Sequence, residues 1–431
     1  MKIAFYTLGC KVNQYETEVM REKAQEKGFT VTEPDASFDV LVINSCTVTA
    51  ESDRKVRQTL RHYRRKNPSA VIVLTGCMVQ AFPNESGALG EADIIVGNRN
   101  ISEIVEKVEE FLANKTPLFE IIPHKNGDEF NTPSIYDFAE RTRAYIKIED
   151  GCNRYCSYCI IPYARGFVRS KPIAEIEKEA QVLANKGFSE IVLTGINLSA
   201  YKTEKGENLC DAITAAAKPL AIKRVRLGSL EPDHITDQML ERFKAEPKFC
   251  PQFHLSLQSG CDATLKRMNR HYDSAFYEDL VIRIRKAFES AAITTDIMVG
   301  FAGETESEFS ESLAFAKKIG FARAHIFAYS RRKGTVAYNM PNQVEKSEKA
   351  RRSKLMIEAT THSERGYIEN KVSKMSEVLF ETKEKGFWQG YTPDYVLVKV
   401  KTDENLAGQI RKVKITSAEN DFCYGEINVF G

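Results

Sequence analysis

Three cysteines within eight residues, Cys152, Cys156 and Cys159, form a CxxxCxxC run. Thiolates at that spacing on one loop can wrap a small metal centre. A structural zinc site wants a fourth Cys or His nearby. None follows at suitable spacing, since the next candidates are Cys210 and His234. Three ligands to a four-iron cluster instead leave one iron open, where a substrate or cofactor can bind. A zinc knot completed from afar is the plainer alternative.

A second set is dispersed. Cys10, Cys46 and Cys77 each follow a short apolar run, in Thr7-Leu8-Gly9-Cys10, Asn44-Ser45-Cys46 and Thr75-Gly76-Cys77. If those runs are parallel strands, their carboxyl ends converge, where open α/β sheets place ligands. Three cysteines meeting there could hold another three-coordinate iron–sulfur cluster. Singly, each could be a buried small hydrophobe. Cys210, Cys250, Cys261 and Cys423 sit in no motif, and burial is their default reading.

The elements that must position these groups follow from periodicity. Segments 3–8, 39–44 and 70–75 read as strands, and 15–27 and 50–66 as helices, so residues 1–112 form an α/β domain of flavodoxin-like type. Residues 113–140, broken by Pro117, Pro123, Gly127 and Pro133, read as a linker or covering arm. Six further strands are expected at 144–149, 190–194, 224–228, 253–257, 294–299 and 324–328. They alternate with helices such as 173–186, and a capping box opens the helix after Glu304. That pattern predicts a partial or complete (β/α) barrel over 141–369, including a basic connector from 331, with its chemistry at the carboxyl ends of the strands. Residues 370–431 read as a small β-barrel, with strands at 377–381, 395–400 and 410–416.

Composition narrows the class. The chain has 431 residues, 42% hydrophobic and 28% charged, with 38 Gly and Pro together, which excludes a disordered tail, a collagen-like repeat or a disulfide miniprotein. No run approaches a membrane span, and the N-terminus lacks a secretory pattern, so a cytoplasmic protein with no membrane partner is expected. Ten cysteines in such a chain point to metal ligands, catalytic groups or core residues rather than disulfides.

The residues resemble a known family. CxxxCxxC on the first strand–loop of a (β/α) barrel is the radical S-adenosylmethionine signature. With three strand-end cysteines before it and a β-barrel after it, the chain resembles the methylthiotransferases of that superfamily over essentially its whole length. The matching stretches are Gly9-Cys10-Lys11-Val12-Asn13-Gln14-Tyr15-Glu16-Thr17, Asp150-Gly151-Cys152 through Pro162-Tyr163-Ala164-Arg165-Gly166, Leu257-Gln258-Ser259-Gly260 and Val299-Gly300-Phe301-Ala302-Gly303-Glu304-Thr305. Ala302 departs from the family's usual proline, which loosens one loop and touches no cluster ligand.

The resemblance implies two 4Fe–4S clusters and S-adenosyl-L-methionine as cofactors. Cys152, Cys156 and Cys159 would hold the cluster that chelates S-adenosylmethionine and cleaves it to a 5′-deoxyadenosyl radical. Cys10, Cys46 and Cys77 would hold an auxiliary cluster carrying the sulfur. A second S-adenosylmethionine would supply the methyl group. Such chemistry belongs to cofactors, since an unactivated C–H bond is beyond general acid–base catalysis. Gly195, Asn197, Ser229, Glu231 and Gln258, at strand ends, are candidates to contact S-adenosylmethionine, or are loop-satisfying polar groups. Tyr158 would shield the cluster or contact adenine. Arg165 and Arg169 would face substrate or tune the cluster, or lie on the surface.

The 9–17 stretch resembles the branch that methylthiolates carbon 2 of N6-threonylcarbamoyladenosine at tRNA position 37. The isopentenyladenosine branch, the ribosomal-protein aspartate branch and a non-catalytic iron–sulfur carrier are the alternatives. The expected partners are a tRNA anticodon stem-loop and a reducing electron-donor protein, and no DNA. Net charge is only +2, but 51–67 holds seven Lys or Arg against two acids and 331–354 eight against two. Such patches could meet RNA phosphates or be ordinary solvated faces. The terminal domain resembles the TRAM barrel, and Phe380, Phe387, Trp388 and Tyr391 could stack on bases or fill its core.

Overall fold

β-Branched runs bounded by glycine and helix caps form the first sheet: β1 (Lys2–Thr7), β2 (Thr30–Thr32), β3 (Val40–Ser45), β4 (Val71–Gly76), β5 (Ile94–Val96) and β6 (Leu118–Glu120). All pair in parallel in the order β2-β1-β3-β4-β5-β6. The computed structural model describes residues 1–135 and 142–427, so the expected boundary at 140/141 lies outside the described residues. β3 and β4 are buried along their whole length, as central strands covered on both faces must be. Helix α1 (Lys11–Glu26) starts four residues earlier than expected, directly after Cys10, with Val12, Tyr15, Val19 and Met20 buried on one face. Helix α2 (Ala50–Lys66) is capped by Thr49, carries Glu51 and Asp53 in its first turn and ends on Arg64, Arg65 and Lys66, charges that suit the helix dipole. β6 falls inside the segment expected as a linker. Beyond it the chain works as a cover, with Ile135 fully buried against the next domain's core.

The second domain contributes β7 (Ala144–Lys147), the short β8 (Glu149–Asp150) and β9 (Arg169–Ser170), then β10 (Glu190–Thr194), β11 (Arg224–Leu227), β12 (Ser229–Leu230), β13 (Gln252–Leu255), β14 (Ala292–Val299) and β15 (Arg323–Ala328). The third expected strand is broken at Gly228, where pairing passes from β10 to β13. β7-β10-β11 and β12-β13-β14-β15 are therefore two parallel sheets, joined also by a Val225–Phe249 bridge. Among the described residues β15 does not pair with β7, so the barrel is open on that side, and α1 packs against β7 there. Ile146, Ile191, Leu193, Val225, Phe253, Leu255 and Ile293 point outward into the helix-covered core. Their strand neighbours Lys147, Glu190, Thr194, Arg226, His254, Thr294, Asp296 and His325 consequently face the lumen. The expected capping box is present at Thr305 and Glu308, and that helix ends at Gly320 in the left-handed conformation.

Helix Lys346–Glu369 leads to the last domain, whose strands β16 (Met375–Glu384), β17 (Phe387–Tyr391), β18 (Leu397–Lys401), β19 (Ile410–Glu419) and β20 (Phe422–Ile427) close in the order β16-β17-β18-β20-β19. Phe380 and Trp388 are buried in its core with Val378, Val398 and Val413, so they fill the barrel rather than face a ligand. No helix among the described residues is long and apolar enough to cross a membrane.

Candidate cluster and cofactor site

The carboxyl ends of β1, β3 and β4 deliver Cys10, Cys46 and Cys77 to one place, and Cys77 senses the charges of both Cys10 and Cys46. Gly9 makes the approach possible: at φ +133°, a Cβ there would lie 3.1 Å from Cys46 Cβ and 2.8 Å from Asn13 Oδ1. Cys10 is exposed and donates to Asn13 Oδ1 (3.3 Å), while Cys46 and Cys77 are buried. Burial pushes the Cys77 thiol up to about 12 and raises that of Cys46. At Cys77 burial outweighs the opposing pull of the Arg165 guanidinium.

The second triad lies on the loop after β8. Gly151, at φ +85°, turns the chain where a Cβ would meet the Phe167 carbonyl oxygen at 2.0 Å. The loop is pinned by Cys152 N to Gly166 O (3.0 Å), Ser157 N to Met268 O (2.9 Å) and Asn269 Nδ2 to Tyr155 O (3.1 Å). Tyr155 itself takes a left-handed conformation. Cys159 senses Cys152 and Cys156, and burial pushes the Cys152 thiol up to about 12. Among the described residues no three Cys, His, Asp or Glu groups converge closely enough for a single metal ion. Both triads are nevertheless within mutual electrostatic reach. Three sulfur donors are the set that a 4Fe–4S cluster with one open iron takes. The remaining four cysteines are buried.

Between the triads lies a buried charge network. It includes Arg165 and Arg169, the two arginines singled out in the sequence, neither of which lies on the surface. Lys147 and the pairing with Glu16 and Asp150 were not anticipated. Arg165, with no solvent exposure, donates to Glu16 (2.6 and 2.9 Å), to Asp150 (3.2 Å) and, through Nε, to Cys77 Sγ (3.2 Å). Lys147 reaches Glu16 (2.8 Å), Asp150 (2.7 Å) and Thr132 (3.0 Å), and Arg169 lies 3.3 Å from Asp150. Three cations against two carboxylates leave one positive charge beside Cys77, and the nearby cations hold the Asp150 carboxyl far below its usual range despite burial. The pairings themselves leave no local pattern, since the partners lie 131 and 149 residues apart.

The strand-end candidates divide. Asn197 is buried with Nδ2 3.9 Å from Cys152 Sγ and Oδ1 unpartnered. Its N–H donates to Glu149 (2.6 Å), a residue the sequence did not single out; burial pushes that carboxyl up to about 8, against the N–H groups of Asn197 and Ile196. Gly195 packs on Glu149, where a Cβ would lie 2.7 Å from Oε2. Glu231 is bound by Arg270, which also donates to Cys156 Sγ (3.2 Å); Arg270 likewise escaped sequence reasoning. Gln258 is buried, left-handed at φ 67°, with Oε1 unpartnered. Tyr158 packs edge-on against Phe301 (6.3 Å) in a cluster with Met298 and Ala302. Ser229 is exposed and makes none of these contacts.

At the opposite mouth of the barrel the terminal domain docks. Arg224 donates to Tyr391 O (3.0 Å), and Arg226 to Pro393 O (2.8 Å) and Thr392 O (3.2 Å). Tyr395, left-handed at φ 67°, stacks on Tyr391 and lies under Arg143 (5.2 Å) and Arg226 (4.8 Å). Tyr391 is thus spent on this interface rather than on RNA. The basic segments are also largely committed. Arg57, Arg61 and Arg64 pair with Glu85, Glu91 and Asp93, and Arg332, Lys333, Arg351 and Arg352 pair with Asp53, Glu85, Glu306 and Glu304. Lys11 differs. It is exposed, and desolvation by the surrounding protein lowers its pKa.

Comparison with known proteins adds independent findings. Residues 2–97 match a family described as Uncharacterized protein family UPF0004, and residues 146–316 match the Radical SAM superfamily. The threonylcarbamoyladenosine tRNA methylthiotransferase MtaB of Bacillus subtilis is 37% identical, over 98% of this chain and 96% of that protein. The tRNA-2-methylthio-N(6)-dimethylallyladenosine synthase of Clostridium perfringens is 33% identical over 98% and 96%. Among solved structures, the radical S-adenosylmethionine methyltransferase TsrM of Kitasatospora setae aligns with TM-score 0.59 at 13% identity, covering 78% of this chain and 73% of that one, a likeness of fold.

Proposed function

The chain belongs to the tRNA methylthiotransferase family of radical S-adenosylmethionine enzymes, and from that membership we propose that it adds a methylthio group to carbon 2 of N6-threonylcarbamoyladenosine at tRNA position 37. It is an enzyme of tRNA modification that uses S-adenosylmethionine and an iron–sulfur cluster. The proposal assigns one 4Fe–4S cluster to Cys152, Cys156 and Cys159 and a second to Cys10, Cys46 and Cys77. Bound there, these groups would supply the radical and the methylated sulfur. The observation that carries the assignment is Arg165, whose one guanidinium touches Cys77 and, through Asp150, the strand end that leads into Cys152.

The protein's own part is to hold and to exclude. Arg270 and Arg165 each place a cation on a cluster sulfur, which favours the anionic ligand. The unpartnered amide oxygens of Asn197 and Gln258, buried at strand ends, offer acceptors to S-adenosylmethionine. Tyr158, with Phe301 and Met298, forms an apolar wall that keeps water from a reactive radical. RNA would approach the outer face of the terminal barrel, where Phe387, Phe422 and Tyr424 cluster and Lys399 lies over Phe422 at 3.6 Å. This face replaces Phe380, Trp388 and Tyr391 as the stacking candidate. An anticodon stem-loop substrate, a reducing protein as electron donor and a cytoplasmic setting complete the reading.

Nucleoside mass spectrometry on tRNA from a strain lacking the gene tests it. N6-threonylcarbamoyladenosine should persist while its 2-methylthio derivative disappears and returns on complementation. Loss of the methylthio isopentenyl nucleoside instead would move the enzyme to the sister branch.

A further inference from the structure

Each cysteine triad is touched by one guanidinium at the same distance. Arg165 Nε donates to Cys77 Sγ and Arg270 Nη1 to Cys156 Sγ, both at 3.2 Å. Each triad also has one buried amide near a sulfur, Asn98 Nδ2 at 4.0 Å from Cys77 and Asn197 Nδ2 at 3.9 Å from Cys152. The direct donors therefore match, and what differs is the charge standing behind them. Behind Cys156, Arg270 and Arg154 face Glu231 and Asp233, two against two, with Arg154 2.6 Å from Asp233 and 3.8 Å from Glu231. Behind Cys77, Arg165, Lys147 and Arg169 face only Glu16 and Asp150. None of those five side chains is more than 10% exposed. A surplus positive charge in so dry a setting is poorly screened. It favours whichever state of a neighbouring iron–sulfur group carries the more negative charge.

We propose that this surplus charge sets an order of reduction, in which the cluster site of Cys10, Cys46 and Cys77 takes an electron at a higher potential than that of Cys152, Cys156 and Cys159. This rests on the two-cluster reading above. The order suits the chemistry of sulfur insertion. A carbon radical and a thiolate sulfur bring three electrons to a two-electron bond, so one is left for the group that held the sulfur. The surplus charge beside Cys77 lowers the cost of taking it. The balanced charges around Cys156 leave the other site the stronger reductant, as radical formation requires. Arg165 acts in this through Cys77 and not on the substrate, so it is a positioning residue for charge.

The test is an anaerobic redox titration of the reconstituted full-length protein, followed by electron paramagnetic resonance. Signals are assigned with two variants, one with Cys10, Cys46 and Cys77 changed to Ala and one with Cys152, Cys156 and Cys159 so changed. In wild type the signal of the Cys10 site should appear first as the potential falls. Arg165→Gln should make reduction there about tenfold less favourable, the order of one charge-assisted hydrogen bond, or about 59 mV for one electron. Arg165→Lys should keep the order. Glu16→Gln, which removes a negative charge held by the same guanidinium, should move that midpoint the opposite way. A purely structural network would not give shifts of opposite sign. Iron content and melting temperature are the folding controls, and if Arg165→Gln loses its iron, the sign of the Glu16→Gln shift decides. Wild-type sites that reduce together or in the reverse order overturn the proposal, as does a Glu16→Gln midpoint that stays or falls. Failure of the two-cluster reading would show separately, as wild type that takes up only about four irons per chain.

Discussion

A buried carboxyl just before a cysteine loop has two ways to avoid an uncompensated charge: find a cation or keep its proton. Asp150 does the first, with Lys147, Arg165 and Arg169 around it. Its neighbour Glu149 points the other way and does the second, its carboxyl raised to about 8 by burial. The sign of the linkage follows. Between the ordinary value of 4.5 and about 8 the folded protein holds a proton that the unfolded chain has released. Stability contributed by Glu149 is thus complete at low pH, falls through that window and levels above it. Glu149→Gln, neutral throughout, should gain on wild type as pH rises from about 5 to about 9, read as urea midpoints of the iron-free protein. Wild-type and variant curves that run parallel would show that Glu149 is ionised in the folded state.

At the scale of elements, the cysteine loop depends on one backbone turn. Gly151→Ala would place a methyl 2.0 Å from a main-chain oxygen at a positive φ, so the strand end and the Gly166–Phe167 segment must separate. Iron bound after reconstitution should drop from about eight to about four atoms per chain, with the Cys10 site still loaded. Full loading would mean that the loop adjusts freely. These same elements show what a sequence discloses. Local signals were sufficient for β1, β3 and β4, for the Thr305–Glu308 capping box, and for placing three cysteines at strand ends and three on one loop. They placed α1 four residues late, because its first turn holds Lys11, Val12, Asn13 and Gln14, too polar for a helical stripe. β6 was hidden in a Pro-bearing stretch and is a strand only because β5 offers an edge. Arg270 and Glu149 were invisible for a related reason: each owes its role to a partner far along the chain. The terminal barrel was recognised as β-structure with three of its five strands, and its aromatics could not be sorted by face until the register was known.

The whole molecule works only if the first sheet and the barrel hold a fixed relation, since one would carry the sulfur and the other would generate the radical. The Glu16–Arg165–Lys147 cluster sits on one side of that junction. On the other, the connector after β15 sends Arg332 back to Asp53 (2.8 Å) and Thr47 (2.6 Å) near the start of α2, both ion-pair partners being nearly buried. Ser330 accepts from the Ala50 N–H (3.1 Å) beside them. Two basic segments suspected of meeting RNA thus prove in part to be the clamp between domains. A nearly buried pair is costly to break from one side, because the abandoned charge remains. Arg332→Gln and Asp53→Asn should each lower the first unfolding transition of the intact chain, by about 3 kcal/mol in the harsher case. The double variant should lose less than the sum, with a coupling of about 1–3 kcal/mol. Additive losses would mean that the two charges act independently and that the junction is held elsewhere, by Arg165 and its partners. A positive coupling, together with methylthiolation lost in the single variants while S-adenosylmethionine cleavage persists, would identify Arg332 as a positioning residue: it would hold the sulfur site over a barrel that still makes its radical.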